Sequence, residues 1–144
     1  MIDFQDAVIG PISYDLVSLL KDCYLFWPRQ QVNHWAAQYH QQAREAGLLA
    51  EVSPEQFLHG FDWIGVQRHL KVLGIFSRLF LRDGKAGYLA DLPRVARHLL
   101  AGCAPYAELQ PFAQWFRERL LSRMALHPRL DAAAVQAVID EKIE

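Results

Sequence analysis

Three acidic residues near the start of the chain have the types and spacing of a metal site. Asp3 lies between an apolar and an aromatic residue, Asp6 comes three positions later, and Asp15 falls one turn into a predicted helix. A phosphate-bound Mg²⁺ takes only one or two protein carboxylates, because it keeps several of its waters. Asp3 suits such a ligand, and Asp15 suits a brace that accepts hydrogen bonds from loop amides. All three acids also fit ordinary turn and cap positions. Asp6 fits either a metal ligand or a turn residue.

A second polar group lies within the longest predicted helix. Gln67, Arg68 and Lys71 occupy neighbouring faces of a segment that is otherwise apolar, and Asp62 and Trp63 come just before them. The guanidinium of Arg68 suits bidentate pairing with a carboxylate. The alternative interpretation of the first three residues is an exposed helix face, or salt bridges to Asp62 or Asp83. A core position is the simpler interpretation of Trp63.

These residues must be positioned by a chain of 144 residues, which is enough for one domain. The chain is 52% hydrophobic, so it can build a core. Its 15 basic residues nearly balance its 16 acidic residues, for a net charge of −1. A nucleic-acid surface needs a basic excess or stripe, so no nucleic-acid partner is expected.

The cysteines and apolar stretches indicate the expected compartment. Cys23 and Cys103 are far apart and show no metal-binding or disulfide spacing, so two buried thiols are expected. Charged residues interrupt every apolar stretch before the roughly 20 residues that a membrane span needs. No signal peptide precedes the first acidic motif. A cytoplasmic protein without a membrane partner is therefore the expectation.

The apolar periodicity predicts a mainly α fold. The predicted helices cover residues 14–27, 28–46, 53–81, 92–100, 106–126 and 132–143. Ser53 and Gln56 have the spacing of a capping box, and Asp131 is placed to cap the last helix. The glycines of the long helix predict one or two breaks or close contacts. A short strand is considered only for residues 86–89.

The acidic segment and the start of the first helix together resemble a known family. Asp3, Asp6 and Ala7 precede Pro11, and a Tyr-Asp-Leu string around Asp15 comes next. This order resembles the metal-binding segment of the aminoglycoside phosphotransferase and choline kinase group, small-molecule kinases with a protein-kinase-like fold. The resemblance implies that Asp3 is the magnesium aspartate and that Asp15 is the helix aspartate bracing the catalytic loop. It also implies Mg²⁺ and ATP as cofactors.

Two later segments resemble one bacterial branch of that family. Residues 67–74 and 82–93 look like the anomeric sugar kinases that act on N-acetylmuramate and N-acetylglucosamine in cell-wall recycling. In that family the helices after the metal segment form a wall of the acceptor pocket. The resemblance therefore implies an amino-sugar substrate, with Asp62, Gln67, Arg68 and Lys71 as candidate substrate contacts.

The family order also predicts which part of a kinase this chain represents. The glycine-rich loop, the phosphate-binding lysine and the catalytic loop precede the magnesium aspartate in such kinases, whereas only two residues precede Asp3 here. The chain therefore resembles the helical part of the C-terminal lobe, one domain with a metal-loop segment at 1–16 and a helical subdomain at 17–144. No catalytic base is expected in it, and the chain alone is expected to be inactive.

Two further expectations concern an alternative function and the assembly of the chain. A non-catalytic helical interaction module derived from a kinase lobe is the alternative function. A lobe without its neighbours should also expose apolar surface near the first helix, which favours a homodimer or a swapped oligomer.

Overall fold

The structure is a computed structural model that describes residues 9–141. Within that range the chain is helical and contains no strand, so the predicted mainly α class is confirmed. The helices are α1 (Tyr14–Leu20), α2 (Arg29–Glu45), α3 (Pro54–Asp83), α4 (Leu92–Cys103), α5 (Gln110–Trp115), α6 (Ser122–Ala125) and α7 (Ala132–Asp140). Short 3₁₀ helices cover Ala86–Asp91 and Ala107–Leu109, and a π-helical segment, Phe116–Leu121, joins α5 to α6.

Helix α3 forms the centre of the fold. The hydroxyl of Ser53 accepts the backbone N–H of Gln56, and the Gln56 side chain accepts the backbone N–H of Ser53, so the predicted capping box is present. The helix ends at Gly84, which adopts a left-handed conformation with φ 67°. The predicted break is wrong, since α3 runs uninterrupted for 30 residues. Good caps and packing on several sides outweigh the roughly 1 kcal/mol cost of each internal glycine.

Helix α1 is shorter than the periodicity predicts. It ends at Leu20 rather than near residue 27. The Asp22 carboxylate accepts the backbone N–H of Tyr24 at 2.7 Å, a local bond that competes with helix formation. Pro28 further disfavours a helical conformation at the residue before it. An irregular segment, 21–28, therefore connects α1 to α2.

The strand considered for residues 86–89 is also wrong. These residues belong to the 3₁₀ helix Ala86–Asp91. No strand within residues 9–141 is available to pair with them, so their backbone groups are satisfied by local bonds. At the other end of the fold, the Asp131 carboxylate accepts the backbone N–H groups of Ala133 and Ala134, which confirms the predicted cap of α7.

The core consists of three apolar clusters, and α3 contributes to each of them. Phe61 packs with residues of α1 and α2, Val66 packs with α4 through α7, and Phe76 packs with the segment that leads into α4. Helices α3 and α4 approach closely, since a Cβ on Gly102 would lie 2.9 Å from Val66 Cγ2. Cys103 is buried as predicted, whereas Cys23 is only partly buried.

No helix within the described part of the chain has both the length and the apolar character needed to cross a lipid bilayer.

Candidate functional site

The acidic residues of the predicted metal segment are only partly covered by the described structure. Asp3 and Asp6 fall outside residues 9–141. Asp15 lies in the first turn of α1 with its side chain exposed. Among residues 9–141, no three histidine, cysteine or acidic side chains come together in a way that could hold a metal ion.

The candidate substrate contacts on α3 do not form one patch. Asp62 is completely buried, whereas Gln67 and Lys71 are exposed. Asp62 and Lys71 are separated by about two and a half helical turns, which places them on opposite faces. Arg68 is partly buried, and its guanidinium lies 5.7 Å from the centre of the Tyr14 ring. The structure therefore brings Asp62 together with a different set of residues from the one that the sequence predicts.

Asp62 is the centre of a buried ionic cluster. Its Oδ1 pairs with the ammonium of Lys21, and its Oδ2 accepts Arg29 Nη2 at 2.6 Å and the Tyr106 hydroxyl at 2.7 Å. Burial alone would raise the pKa of Asp62, but Lys21, Arg29 and the Tyr106 hydroxyl lower it below its ordinary value. The carboxylate is therefore ionised and fully engaged, which makes it a structural anchor and a poor proton acceptor.

Three separate parts of the fold deliver the partners of Asp62. Lys21 comes directly after the end of α1, Arg29 begins α2, and Tyr106 lies in the turn after α4. The sequence carries one local signal for this cluster, an acid on the face of α3 that also carries Phe61 and Val66. The sequence carries no local signal for Lys21, Arg29 or Tyr106 as partners of Asp62. The sequence therefore does not predict them.

A cavity of about 210 Å³ opens beside this cluster, lined by residues of α1, α2, α3 and α4 and of segment 21–28. We call it the Asp62 cavity. Arg97 of α4 forms part of its wall and donates to Glu141 at 2.7 Å. The Arg97 guanidinium also lies 3.9 Å from the centre of the Phe26 ring. Phe26 and Trp27 give the cavity an aromatic wall beside its charged one.

Two histidines stack in the wall of the Asp62 cavity. His69 of α3 and His98 of α4 have ring centroids 4.9 Å apart and are 2% and 7% exposed. Burial lowers the pKa of His69 to about 3 and the pKa of His98 to about 4. Both rings are therefore neutral near pH 7, where each offers one donor and one acceptor nitrogen. The sequence gives no sign that these two histidines meet.

A smaller aromatic group lies on the outer side of Tyr106. His59 stacks on Trp63 with centroids 5.3 Å apart, and the Tyr106 ring meets His59 edge-on at 5.0 Å. Trp63 is 37% exposed, so the core position expected for it is wrong. The indole is therefore stacked by His59 and partly open to solvent.

Comparisons with known proteins give a consistent result. Residues 1–54 match the phosphotransferase enzyme family. The chain is 49% identical over 111 residues to the N-acetylmuramate/N-acetylglucosamine kinase of Neisseria meningitidis serogroup B, a match that covers 77% of this chain and 33% of that protein. The kinase of the same name from Pseudomonas putida is 50% identical over 94 residues, 65% of this chain and 28% of that protein.

A more distant relative covers a similar region. The N-acetylmuramate/N-acetylglucosamine kinase of Caulobacter vibrioides is 33% identical over 123 residues, 81% of this chain and 30% of that protein. The chain thus spans about a third of the length of the curated relatives that it matches. No solved structure gives a significant match.

Proposed function

Because this chain is a relative of the N-acetylmuramate/N-acetylglucosamine kinases within the phosphotransferase enzyme family, we propose that it is the helical C-lobe part of an ATP-dependent amino-sugar kinase. The 49% identity over 111 residues to the Neisseria protein carries this proposal. The proposed pathway is cell-wall sugar recycling, and the proposed location is the cytoplasm. The chain is one helical unit, with residues 1–16 as its metal-loop segment.

In this proposal the acidic segment handles the phosphate side of the reaction. Asp3 holds the Mg²⁺ that neutralises the phosphates of ATP during transfer. Asp15 braces the loop that carries the catalytic groups, and its exposure at the start of α1 leaves its carboxylate accessible to another segment. The match of residues 1–54 to the phosphotransferase family supports both assignments.

The helical part forms the sugar-side wall in the same proposal. Asp62 fixes the wall by joining α1, α2 and α3 through its ion pairs. Gln67, Arg68 and Lys71 are further candidate contacts on other faces of α3, where their donors are exposed or partly exposed. A polyhydroxylated or carboxylated substrate would be recognised by such donors.

The remaining catalytic groups are assigned to the other two thirds of such a kinase. Phosphoryl transfer depends on several positioned groups acting together. The isolated chain is therefore expected to show no turnover of ATP with N-acetylglucosamine.

A chimaera tests the proposed function directly. The region of the Neisseria kinase that matches this chain is replaced by residues 1–144, and phosphorylation of N-acetylglucosamine is measured. The chimaera should be active, and Asp3→Asn in it should reduce kcat by about 10²-fold or more, because one group stabilising the phosphate charge is lost. Asp83→Asn, which alters an exposed ion pair, is the matched control. A folded but inactive chimaera, or equal activity of the Asp3→Asn variant, would contradict the proposal.

One observation favours self-association as a second property. Large apolar side chains are exposed around the end of α1 and along segment 21–28, namely Leu19, Tyr24, Leu25, Phe26 and Trp27. A group of exposed apolar side chains close together in the chain is a candidate interface. We therefore propose that the isolated chain forms a homodimer or a swapped oligomer through this surface. If the chain is instead a non-catalytic interaction module, this surface would be its interface.

A further inference from the structure

We propose that the Asp62 cavity binds one hydroxyl-rich ring, whose hydroxyl groups donate hydrogen bonds to His69 Nδ1 and His98 Nε2. Identifying that ring as an amino sugar rests on the proposed function. The binding itself needs neither ATP nor catalysis.

The first support is a set of buried polar atoms that lack partners. Within residues 9–141, His69 Nδ1, His98 Nε2 and Asn33 Oδ1 are buried and find no hydrogen-bond partner among the protein's own groups, and all three residues line the Asp62 cavity. Leaving such an atom unsatisfied costs about 1–3 kcal/mol. Three of them around one cavity indicate that the cavity holds a partner.

The tautomers show which kind of partner is required. His69 Nε2 lies 3.0 Å from the backbone oxygen of Lys21 and must donate to it, so Nδ1 keeps its lone pair. His98 Nε2 also finds no partner within the protein, and it accepts from a hydroxyl in the neutral tautomer that carries its proton on Nδ1. The side-chain oxygen of Asn33 is a third acceptor, so the partner must bring hydrogen-bond donors.

The charge of the cavity argues against a cation as that partner. Lys21, Arg29 and Arg97 face the carboxylates of Asp62 and Glu141, which leaves one positive charge in excess. An ammonium group or metal ion would meet this positive field. A hydroxyl group brings a donor without a positive charge, and its oxygen can accept from an arginine.

The size and the aromatic wall agree with a single ring. A volume of about 210 Å³ would hold about seven waters at roughly 30 Å³ each, and it is below the range of about 300–1,000 Å³ typical of larger ligands. Phe26 and Trp27 contribute aromatic surface to the lining. A pyranose has an apolar face and an edge of hydroxyl donors, which matches both walls.

The decisive experiment is a titration of the full chain, observed through its histidine side chains. Two-bond ¹H–¹⁵N spectra report which imidazole nitrogens are unprotonated. Adding N-acetylglucosamine should move the ¹⁵N resonances of His69 Nδ1 and His98 Nε2 to lower frequency as they accept hydrogen bonds. Exposed His127 is the internal control and should not move. Tetrahydropyran, a ring of the same kind without hydroxyl groups, should leave all of these resonances unchanged.

Variants provide a second, independent measurement. His98→Phe keeps an aromatic ring beside Phe26, which lies 4.7 Å away, but removes the acceptor. It should weaken N-acetylglucosamine binding about tenfold, the effect of losing one hydrogen bond to a neutral partner. His127→Phe should bind like the original chain. If His98→Phe does not fold, the titration of the original chain decides alone.

The outcomes separate this inference from the proposed function. Unchanged histidine resonances at saturating sugar would mean that the cavity holds water only, and the inference would be wrong. A chimaera that keeps its full activity and KM after His98→Phe would also contradict the inference while the proposed function stands. Sugar-dependent shifts in a chain whose chimaera is inactive would support the inference and count against the proposed function.

Discussion

The Tyr106 hydroxyl donates a 2.7 Å hydrogen bond to Asp62 Oδ2, across 44 positions of the chain. This bond joins the turn after α4 to the first third of α3. Tyr106→Phe removes the hydroxyl and little else, so the free energy of unfolding should fall by about 1.5–3 kcal/mol, the usual range for a bond to a charged acceptor. Urea unfolding measures the change. Tyr24→Phe, at an exposed tyrosine, is the matched control and should change stability by less than about 0.5 kcal/mol.

Removing the charge of Asp62 should have a larger effect. Asp62→Asn leaves the Lys21 ammonium buried without its counter-ion, so we expect a loss of about 3–5 kcal/mol in urea unfolding. The double variant Lys21→Met with Asp62→Asn should recover part of that loss, because the buried cation is gone. Asp83→Asn, which breaks an exposed pair with Arg82, should cost less than about 1 kcal/mol. Equal effects of Asp62→Asn and Asp83→Asn would show that the buried cluster is not structural.

The stacked histidines predict that stability falls in mild acid. In the folded chain the pKa values of His69 and His98 are about 3 and about 4, against 6.5 for the free side chain. Between these values the unfolded chain binds more protons, so stability is complete above about pH 6.5 and falls as the pH decreases. Each histidine should contribute about 2 kcal/mol to the loss by about pH 5, measured by urea unfolding.

The variant His98→Phe isolates one half of that effect. It should remove about half of the stability difference between pH 7 and pH 5, since one of the two titrating rings is gone. Equal m-values at the two pH values would confirm that the comparison is between the same folded and unfolded states. A slope that is unchanged by the substitution would exclude His98 as a source of the acid sensitivity.

Two glycines should respond to alanine in opposite directions. A Cβ on Gly102 would lie 2.9 Å from Val66 Cγ2, so Gly102→Ala should push α3 and α4 apart and cost about 1–3 kcal/mol. A Cβ on Gly74 meets nothing within 4 Å, so Gly74→Ala should stabilise α3 by about 0.4–1 kcal/mol. Thermal unfolding of the two variants gives both signs. A stabilising Gly102→Ala would mean that the two helices are not in close contact.

The exposed apolar segment predicts self-association. Sedimentation equilibrium of the isolated chain should show a dimer or a larger species that forms as concentration rises. Leu25→Glu, in the exposed apolar segment, should shift the chain to monomer, because burying the new carboxylate is unfavourable. Leu126→Glu changes a still more exposed leucine elsewhere on the surface and is the control. A monomer at all concentrations would contradict the proposed association.

The features that could be predicted from the sequence are those determined by neighbouring residues. The capping box of Ser53 and Gln56 and the cap formed by Asp131 each join groups a few residues apart, so their spacing is visible in the chain. The end of α1 is local too, but it could not be predicted, because a side-chain bond from Asp22 interrupts an apolar pattern that would otherwise continue. Apolar periodicity predicts which face of a helix is buried. It does not show where a local side-chain bond ends the helix.

The candidate site could be predicted only in part, since its contacts join distant positions. The partners of Asp62 lie 41, 33 and 44 positions away in the chain. Gln67 and Lys71 are close to Asp62 in sequence, yet the turn of α3 directs them elsewhere. His98 reaches His69 only because α3 and α4 pack side by side. Spacing within α3 therefore identifies Asp62 as a site residue, but it wrongly groups Gln67 and Lys71 with it.

The participation of α3 in all three apolar clusters has a consequence for how the chain loses its structure. Helices that pack around one shared element cannot separate from it in turn without exposing part of each cluster. The described part of the chain should therefore open as one cooperative unit rather than helix by helix. In hydrogen exchange, the central amides of α3 should be the slowest, and they should exchange at the rate of global unfolding.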